Sequence, residues 1–176
     1  LIGNQSPKAD SEVILMAVEA LYSLGIDDLS IDVGLPTLVP SIVRHLDLDE
    51  DILKNLYAVL DRKDESKLAC LDSEISIDTI NQLEGLLRIT GPAKTALTSL
   101  AKLKLPKTTA AECHSLESVI YDISTAAPAV NLTVDLVESR DLKYHTGITF
   151  TIFAKSIRGE LGRGGRYLTG DKEAKN

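Results

Sequence analysis

Cysteine and histidine are scarce in this chain, two and three among 176 residues. At these separations they cannot assemble the four-ligand spacing of a zinc site. Cys70 and Cys113 stand in apolar, helix-like contexts and read as buried, reduced thiols of a cytoplasmic protein. Long uncharged runs are missing too. None approaches the roughly 20 residues that cross a bilayer, and Leu1-Ile2-Gly3-Asn4 is neither a signal peptide nor an initiator segment. A soluble protein is expected, with residue 1 internal to a longer native chain. Internal repeats and low-complexity tracts are absent, and no Ser or Cys nucleophile stands in evident partnership with a histidine. Gly162, Gly164 and Gly165 are followed by neither Lys-Ser/Thr nor an evident helix start, so neither a P-loop nor a dinucleotide fingerprint is supported. No metal and no cofactor is expected.

What is there suits a globular domain. Hydrophobic residues make up 44% and charged residues 26%, enough for one core or a core plus an insertion. The net charge of -7 is uneven: residues 1–137 hold 11 Lys/Arg against 21 Asp/Glu, and residues 138–176 hold 8 against 5. An acidic body is a poor general nucleic-acid binder, because phosphate contacts need clustered cations. The basic end could hold a carboxylate or phosphate of a small ligand, but charge bias alone favours a solvated terminal segment.

Ser6-Pro7 opens a helix, with Val13, Ala17, Ala20, Leu21 and Leu24 as its apolar stripe and Gly25 as its stop. Leu29, Ile31 and Val33 alternate with Ser30 and Asp32 as a half-buried strand, and a short helix follows near Ser41 to Leu46. Residues 1–48 form the first part of a core. Residues 49–127 contain no convincing strand and read as a helical insertion, with helix starts at Asp78 and at Thr108 or Thr109. Its last helix places Leu116, Val119, Ile120 and Ile123 on one face. Residues 128–176 complete the core. Val130, Leu132, Val134 and Leu136 form one alternating strand, and Ile148, Phe150, Ile152 and Ala154 another. Joined by residues 140–147, these two suggest an antiparallel sheet and an α+β fold.

The chemistry concentrates at Arg140-Asp141-Leu142-Lys143-Tyr144-His145-Thr146-Gly147 and at Gly164-Gly165-Arg166-Tyr167. An arginine leaving a strand offers a planar fork to a carboxylate or phosphate, or pairs locally with Glu138 or Asp141. Tyr144 and His145 face opposite sides if the segment is extended. The glycines read as a tight turn that lets a backbone approach a ligand.

These two segments resemble the histidine-recognition segments of class II histidyl-tRNA synthetases, Arg-Gly-Leu-Asp-Tyr-Tyr-Thr-Gly and Gly-Gly-Arg-Tyr-Asp. Gly3 to Ile14, with Ala9-Asp10-Ser11-Glu12-Val13, resembles the stretch that follows motif 2 in that family and its paralogues. The resemblance implies a partial class II synthetase-like antiparallel sheet with flanking helices. Motifs 1 and 2 would then lie upstream and motif 3 beyond Tyr167, and the sheet edges would need covering by other strands or a partner. Asp141 stands where the synthetase has Gly, Lys143 where Asp is usual, His145 for the second Tyr, Thr151 for Glu and Leu168 for Asp. Leu60-Asp61-Arg62-Lys63-Asp64 is similar to a Leu-x-x-Lys-Asp element of the paralogous ATP phosphoribosyltransferase regulatory subunits.

The departures favour the non-catalytic paralogue. The resemblance then implies a subunit that binds histidine through Arg140, Tyr144, His145, Gly164, Gly165, Arg166 and Tyr167. It implies no catalytic residue, and feedback control of a separate catalytic subunit in histidine biosynthesis. Its partners would be that subunit and further copies of itself within a hetero-oligomer, with neither membrane nor nucleic acid. The alternative is a histidyl-tRNA synthetase fragment, with tRNA as partner. A scaffold that binds no small ligand is the third reading.

Overall fold

The computed structural model describes residues 1–44, 46–71, 73–137 and 145–168. Helix α1 (Pro7–Ser23) begins where the sequence places it, with Pro7 at a position whose N–H has no helical partner to lose. It ends at Gly25, whose φ of +76° lets its N–H reach Tyr22 O and turns Ile26 N–H back to Leu21 O. The expected apolar stripe is displaced. Ala9, Ile14 and Val18 are buried, whereas Val13 and Leu24 are exposed. The reason is the packing partner: α7 (Ala110–Ala126) crosses α1, and Ser11 Oγ donates to Asp122 Oδ2 at 3.0 Å between them.

Strand β1 (Leu29–Gly34) alternates as expected, burying Leu29, Ile31 and Val33. Helix α2 (Leu38–Val43) starts three residues earlier than expected, because Pro40 is tolerated in a first helical turn. Helices α3 (Glu50–Asp61), α4 (Glu65–Ala69), α5 (Ile77–Leu87) and α6 (Ala93–Leu100) follow. Asp64 caps α4 by accepting from Lys67 N–H. Ser76, not Asp78, caps α5, its Oγ accepting from Thr79 N–H at 3.3 Å. A 3-10 turn at Lys107–Thr109 leads into α7, which buries Leu116, Val119, Ile120 and Ile123 together.

The segment expected to lack strands supplies one, β2 (Thr90–Pro92), which pairs antiparallel with β3 (Asn131–Asp135). A three-residue edge strand holding Gly and Pro carries no periodic signal. The full sheet runs β2-β3-β1-β4-β5, with β4 at His145–Ala154 and β5 at Ile157–Tyr167. The direct pairing expected between β3 and β4 does not form. Strand β1 lies between them, parallel to β3 and antiparallel to β4. The Gly162–Tyr167 segment is strand, not turn, and Gly164 pairs with Phe150 across the ladder.

The helices cover one face of this mixed sheet, and buried residues from all parts of the chain join one cluster, among them Ile14, Ile31, Leu60, Leu83, Ile123 and Ile152. At about 25 cal/mol per Å² such burial is the main favourable contribution to folding. The thiols correct an expectation. Cys70 is exposed, and Cys113 is half-buried with its pKa pushed up by burial.

Candidate functional site

Strand register sorts the side chains of the sheet onto two faces. Leu29, Ile31, Val33, Leu132, Val134, Phe150, Ile152 and Ala154 share the helix-covered face. The opposite face is polar. One row across it is Thr133, Asp32, Thr151 and Arg163, and the next is Asp135, Gly34, Thr149 and Gly165.

Two of the four residues in the second row are glycines, and the Thr149 side chain and the His145 ring occupy the space over them. A Cβ at Gly34 would stand 2.6 Å from Thr149 Oγ1, and one at Gly165 would stand 2.6 Å from His145 Cδ2 and 2.8 Å from Thr149 Cγ2. Both glycines are therefore required by close approach, and the His145 ring lies over Gly165. Beyond it, His145 pairs with Tyr167 across the strands, their rings meeting edge to face at 6.4 Å and 79°. The result is a trough with aromatic rings at one end. At the other, Thr133 Oγ1 donates to Asp32 Oδ1 at 2.8 Å. Along the β3 side Lys63, held at φ +52° after α3, reaches Asp135 Oδ2 at 2.5 Å. Asp135 Oδ1 accepts from Val137 N–H. Burial raises the pKa of Asp32, the Asp135 charge adds to the rise, and the Thr133 hydrogen bond and Lys63 oppose it.

The sequence-derived site residues divide between the faces. His145, Gly165 and Tyr167 line the trough. Gly164 and Arg166 belong to the other face. Gly164 leaves room for the Phe150 ring, and Arg166 lies over Gly147. The Arg166 guanidinium pairs with Asp10 at 2.9 Å and donates to Asn4 O at 2.8 Å and Ser6 O at 3.0 Å. Two of the segments that carry the family resemblance, Ala9-Asp10-Ser11 and Gly164-Gly165-Arg166, thus meet in space. Arg140 and Tyr144 lie outside the described residues. Sequence reading missed Asp32, Gly34, Thr133 and Thr149 as neighbours of these residues. The alternation of β1 was the available signal, since it puts Ser30, Asp32 and Gly34 on the face opposite the core.

A groove of about 510 Å³ runs between α1 and α7, floored by Leu15, Met16, Tyr121 and Ala126. It gathers none of the trough residues, and convergent polar groups on a rigid sheet make the trough the better site. Gly165→Ala tests the packing there. Displacing the His145 ring should cost roughly 1–3 kcal/mol in urea unfolding, with Gly162→Ala, which has open space around it, clearly milder.

The family model for histidyl-tRNA synthetase matches residues 1–175. The ATP phosphoribosyltransferase regulatory subunit of Rhodospirillum centenum is 39% identical over 170 residues, 97% of this chain and 43% of the relative. That of Paramagnetospirillum magneticum is 40% identical over 173 residues, 98% of this chain and 45% of the relative. The chain thus spans somewhat under half the length of these curated relatives. Among solved structures, an ATP phosphoribosyltransferase regulatory subunit/histidyl-tRNA synthetase from Bacillus halodurans C aligns with a TM-score of 0.77 at 22% identity, covering 95% of this chain and 44% of that one. An ATP phosphoribosyl transferase complex from Thermotoga maritima aligns with a TM-score of 0.74 at 18% identity, covering 93% and 57%. At such identities the structural likeness establishes the fold, a class II synthetase-like sheet with its helices. On the family match across nearly its whole length, this chain belongs to the histidyl-tRNA synthetase family.

Proposed function

We propose that this chain is part of an ATP phosphoribosyltransferase regulatory subunit, which binds histidine and relays feedback control to a separate catalytic subunit without catalysing a reaction itself. The observation that carries the proposal is 39–40% identity, over 97% and 98% of the chain, to two proteins of that name. The sequence of the pocket-like segment supports it. A synthetase must stabilise charge developing at the α-phosphate of ATP. Here the segment that resembles the synthetase pocket has Asp141, Lys143, His145 and Thr151 in place of the synthetase's residues. Thr151 stands in the row beside Asp32 and contributes a neutral hydroxyl where the synthetase pattern has a carboxylate.

The trough remains suited to one small polar ligand, with rings at one end and an acidic group at the other. His145, Gly165 and Tyr167 would contact histidine directly, together with Arg140 and Tyr144. Gly164 and Arg166 would contribute by shaping the strand that carries Gly165 and Tyr167. Feedback then requires that histidine bind the inhibited state of the complex more tightly, with a coupling of about 1–3 kcal/mol.

The test is co-purification of the full-length protein with a short-form catalytic subunit, followed by titration of transferase activity with histidine. Complex formation at micromolar concentration and inhibition that requires this subunit are expected. A charging assay with cognate tRNA gives the opposing outcome, since histidyl-tRNA formed at ordinary synthetase rates would overturn the proposal.

A further inference from the structure

Charge is unevenly placed along the helices. Residues 85–111 hold Arg88, Lys94, Lys102, Lys104 and Lys107 and no acidic residue, although residues 1–137 hold 21 acids against 11 cations. Lys102, Lys104 and Lys107 are exposed, form no ion pair among the described residues, and stand just before the first turn of α7. Toward the other end of α7, its groove with α1 has the opposite sign. Glu12, Glu19 and Asp122 line it against a single cation, Lys8. Tyr121 and Met16 stand 70% and 61% exposed there. The outer side of α7 is nearly uncharged, since Glu117 is the one charged residue exposed among residues 110–126. Few charges, a large ring and a thioether are the composition of an interface core.

We propose that this face is a two-fold interface between copies of this chain, with the α7 helices antiparallel and the lysine segment of each copy against the acidic groove of the other. The arrangement of charge selects a second copy as the occupant. Lys107 and Tyr121 are 14 residues apart in sequence, or roughly 20 Å along a helix. Turning a second copy end for end brings each lysine cluster beside a set of carboxylates, and one two-fold operation makes both contacts at once. A parallel arrangement sets lysine against lysine and acid against acid, which like-charge repulsion disfavours. The closed pair also removes Met16 and Tyr121 of both copies from water. Charge thus fixes direction and register, and the buried rings supply affinity. The interface uses no residue of the trough, so it stands or falls separately from histidine binding.

Charge reversal in the full-length protein tests it by sedimentation velocity at low salt, where such contacts are least screened. One double variant combines Lys104→Glu with Lys107→Glu, and the other combines Glu12→Lys with Glu19→Lys. All four residues are exposed, so both variants should fold and melt near the wild-type temperature. Each alone should sediment as a species of half the wild-type mass, because like charges now face each other at both contacts. Their equimolar mixture should recover the wild-type mass, since every contact then pairs opposite charges. Tyr121→Arg should weaken the same association at least tenfold. Wild-type mass in both double variants alone overturns the interface, and so does a mixture that recovers nothing. Carbodiimide treatment of wild type mixed from light- and heavy-nitrogen protein in high salt and returned to low salt gives a second readout. Peptides joining Lys102, Lys104 or Lys107 to Glu12 or Glu19 with one light and one heavy partner are expected. Absence of such mixed pairs, the result if another protein or another part of the same chain covers this face, also overturns it.

Discussion

Arg166→Ala is expected to destabilise the protein by about 3–5 kcal/mol, the usual cost of removing one partner from a largely buried ion pair. The side chains of Arg166 and Asp10 are only 19% and 14% exposed, so solvent screening does little to reduce the effect. The arginine also donates to two backbone carbonyls, Asn4 O and Ser6 O, and its aliphatic stem lies over Gly147. One side chain thereby fastens the chain's first residues and the start of α1 to β5. Burial raises the pKa of Asp10, and the hydrogen bond and charge of Arg166 hold the rise down. Without Arg166 the rise is larger. Stability associated with a raised carboxylate pKa is present below the unfolded value and is lost as pH climbs through the folded one. The gap between wild type and Arg166→Ala should therefore narrow on acidification. Urea unfolding of Arg166→Ala, Asp10→Asn and the double variant at several pH values checks this. Because the two side chains share one interaction, the double variant should lose less than the sum of the singles. Additive losses would mean that the pair does not act as a unit. Since Arg166 faces α1, its removal should reach ligand affinity only through the fold.

This assignment shows what could be read from the chain and what could not. Strand β1 was legible because its apolar residues alternate with period two against a wet face. The buried face of α7 was legible because Leu116, Val119, Ile120 and Ile123 repeat at helical spacing. The stripe of α1 was not. Ala17 and Ala20 are compatible with either side of the helix, and the crossing of α7 decided which side was covered. Strand β2 is too short to have a period. The insertion of β1 between β3 and β4 is a long-range pairing that no local pattern encodes. At the site, the Gly-Gly-Arg-Tyr motif was visible as chemistry. Its partition was hidden until the register put Gly165 and Tyr167 on one face and Gly164 and Arg166 on the other. Glycine-rich segments read as turns from composition, and here the glycines are strand residues that make room for the rings of Phe150 and His145.

Lys63→Met should cost about 1.5–3 kcal/mol, and the reason lies in the acceptor it leaves behind. Asp135 is 8% exposed, and its two oxygens serve different donors: Oδ2 meets Lys63 Nζ and Oδ1 meets Val137 N–H. Removing the lysine leaves that carboxylate charged, buried and near Asp32, whose pKa its charge already raises. The lysine itself is 43% exposed, so its own release into water costs little, and most of the loss belongs to Asp135. That asymmetry orders the variants. Asp135→Asn keeps an acceptor for Val137 N–H and removes the repulsion with Asp32, so it should be milder than Lys63→Met. Asp135→Ala strands the Val137 N–H and should be comparable to Lys63→Met. Lys63→Gly separates charge from backbone strain. Lys63 holds φ +52°, a conformation that costs a non-glycine residue on the order of 1 kcal/mol, and glycine relieves it. Lys63→Gly should therefore lose less stability than Lys63→Met despite removing the same ammonium group. Chemical denaturation of the four variants at pH 7 measures the order. Equal stability of Lys63→Met and wild type would show that the contact between the α3–α4 junction and β3 contributes nothing. The expected order would identify it as the tie that fixes this side of the trough.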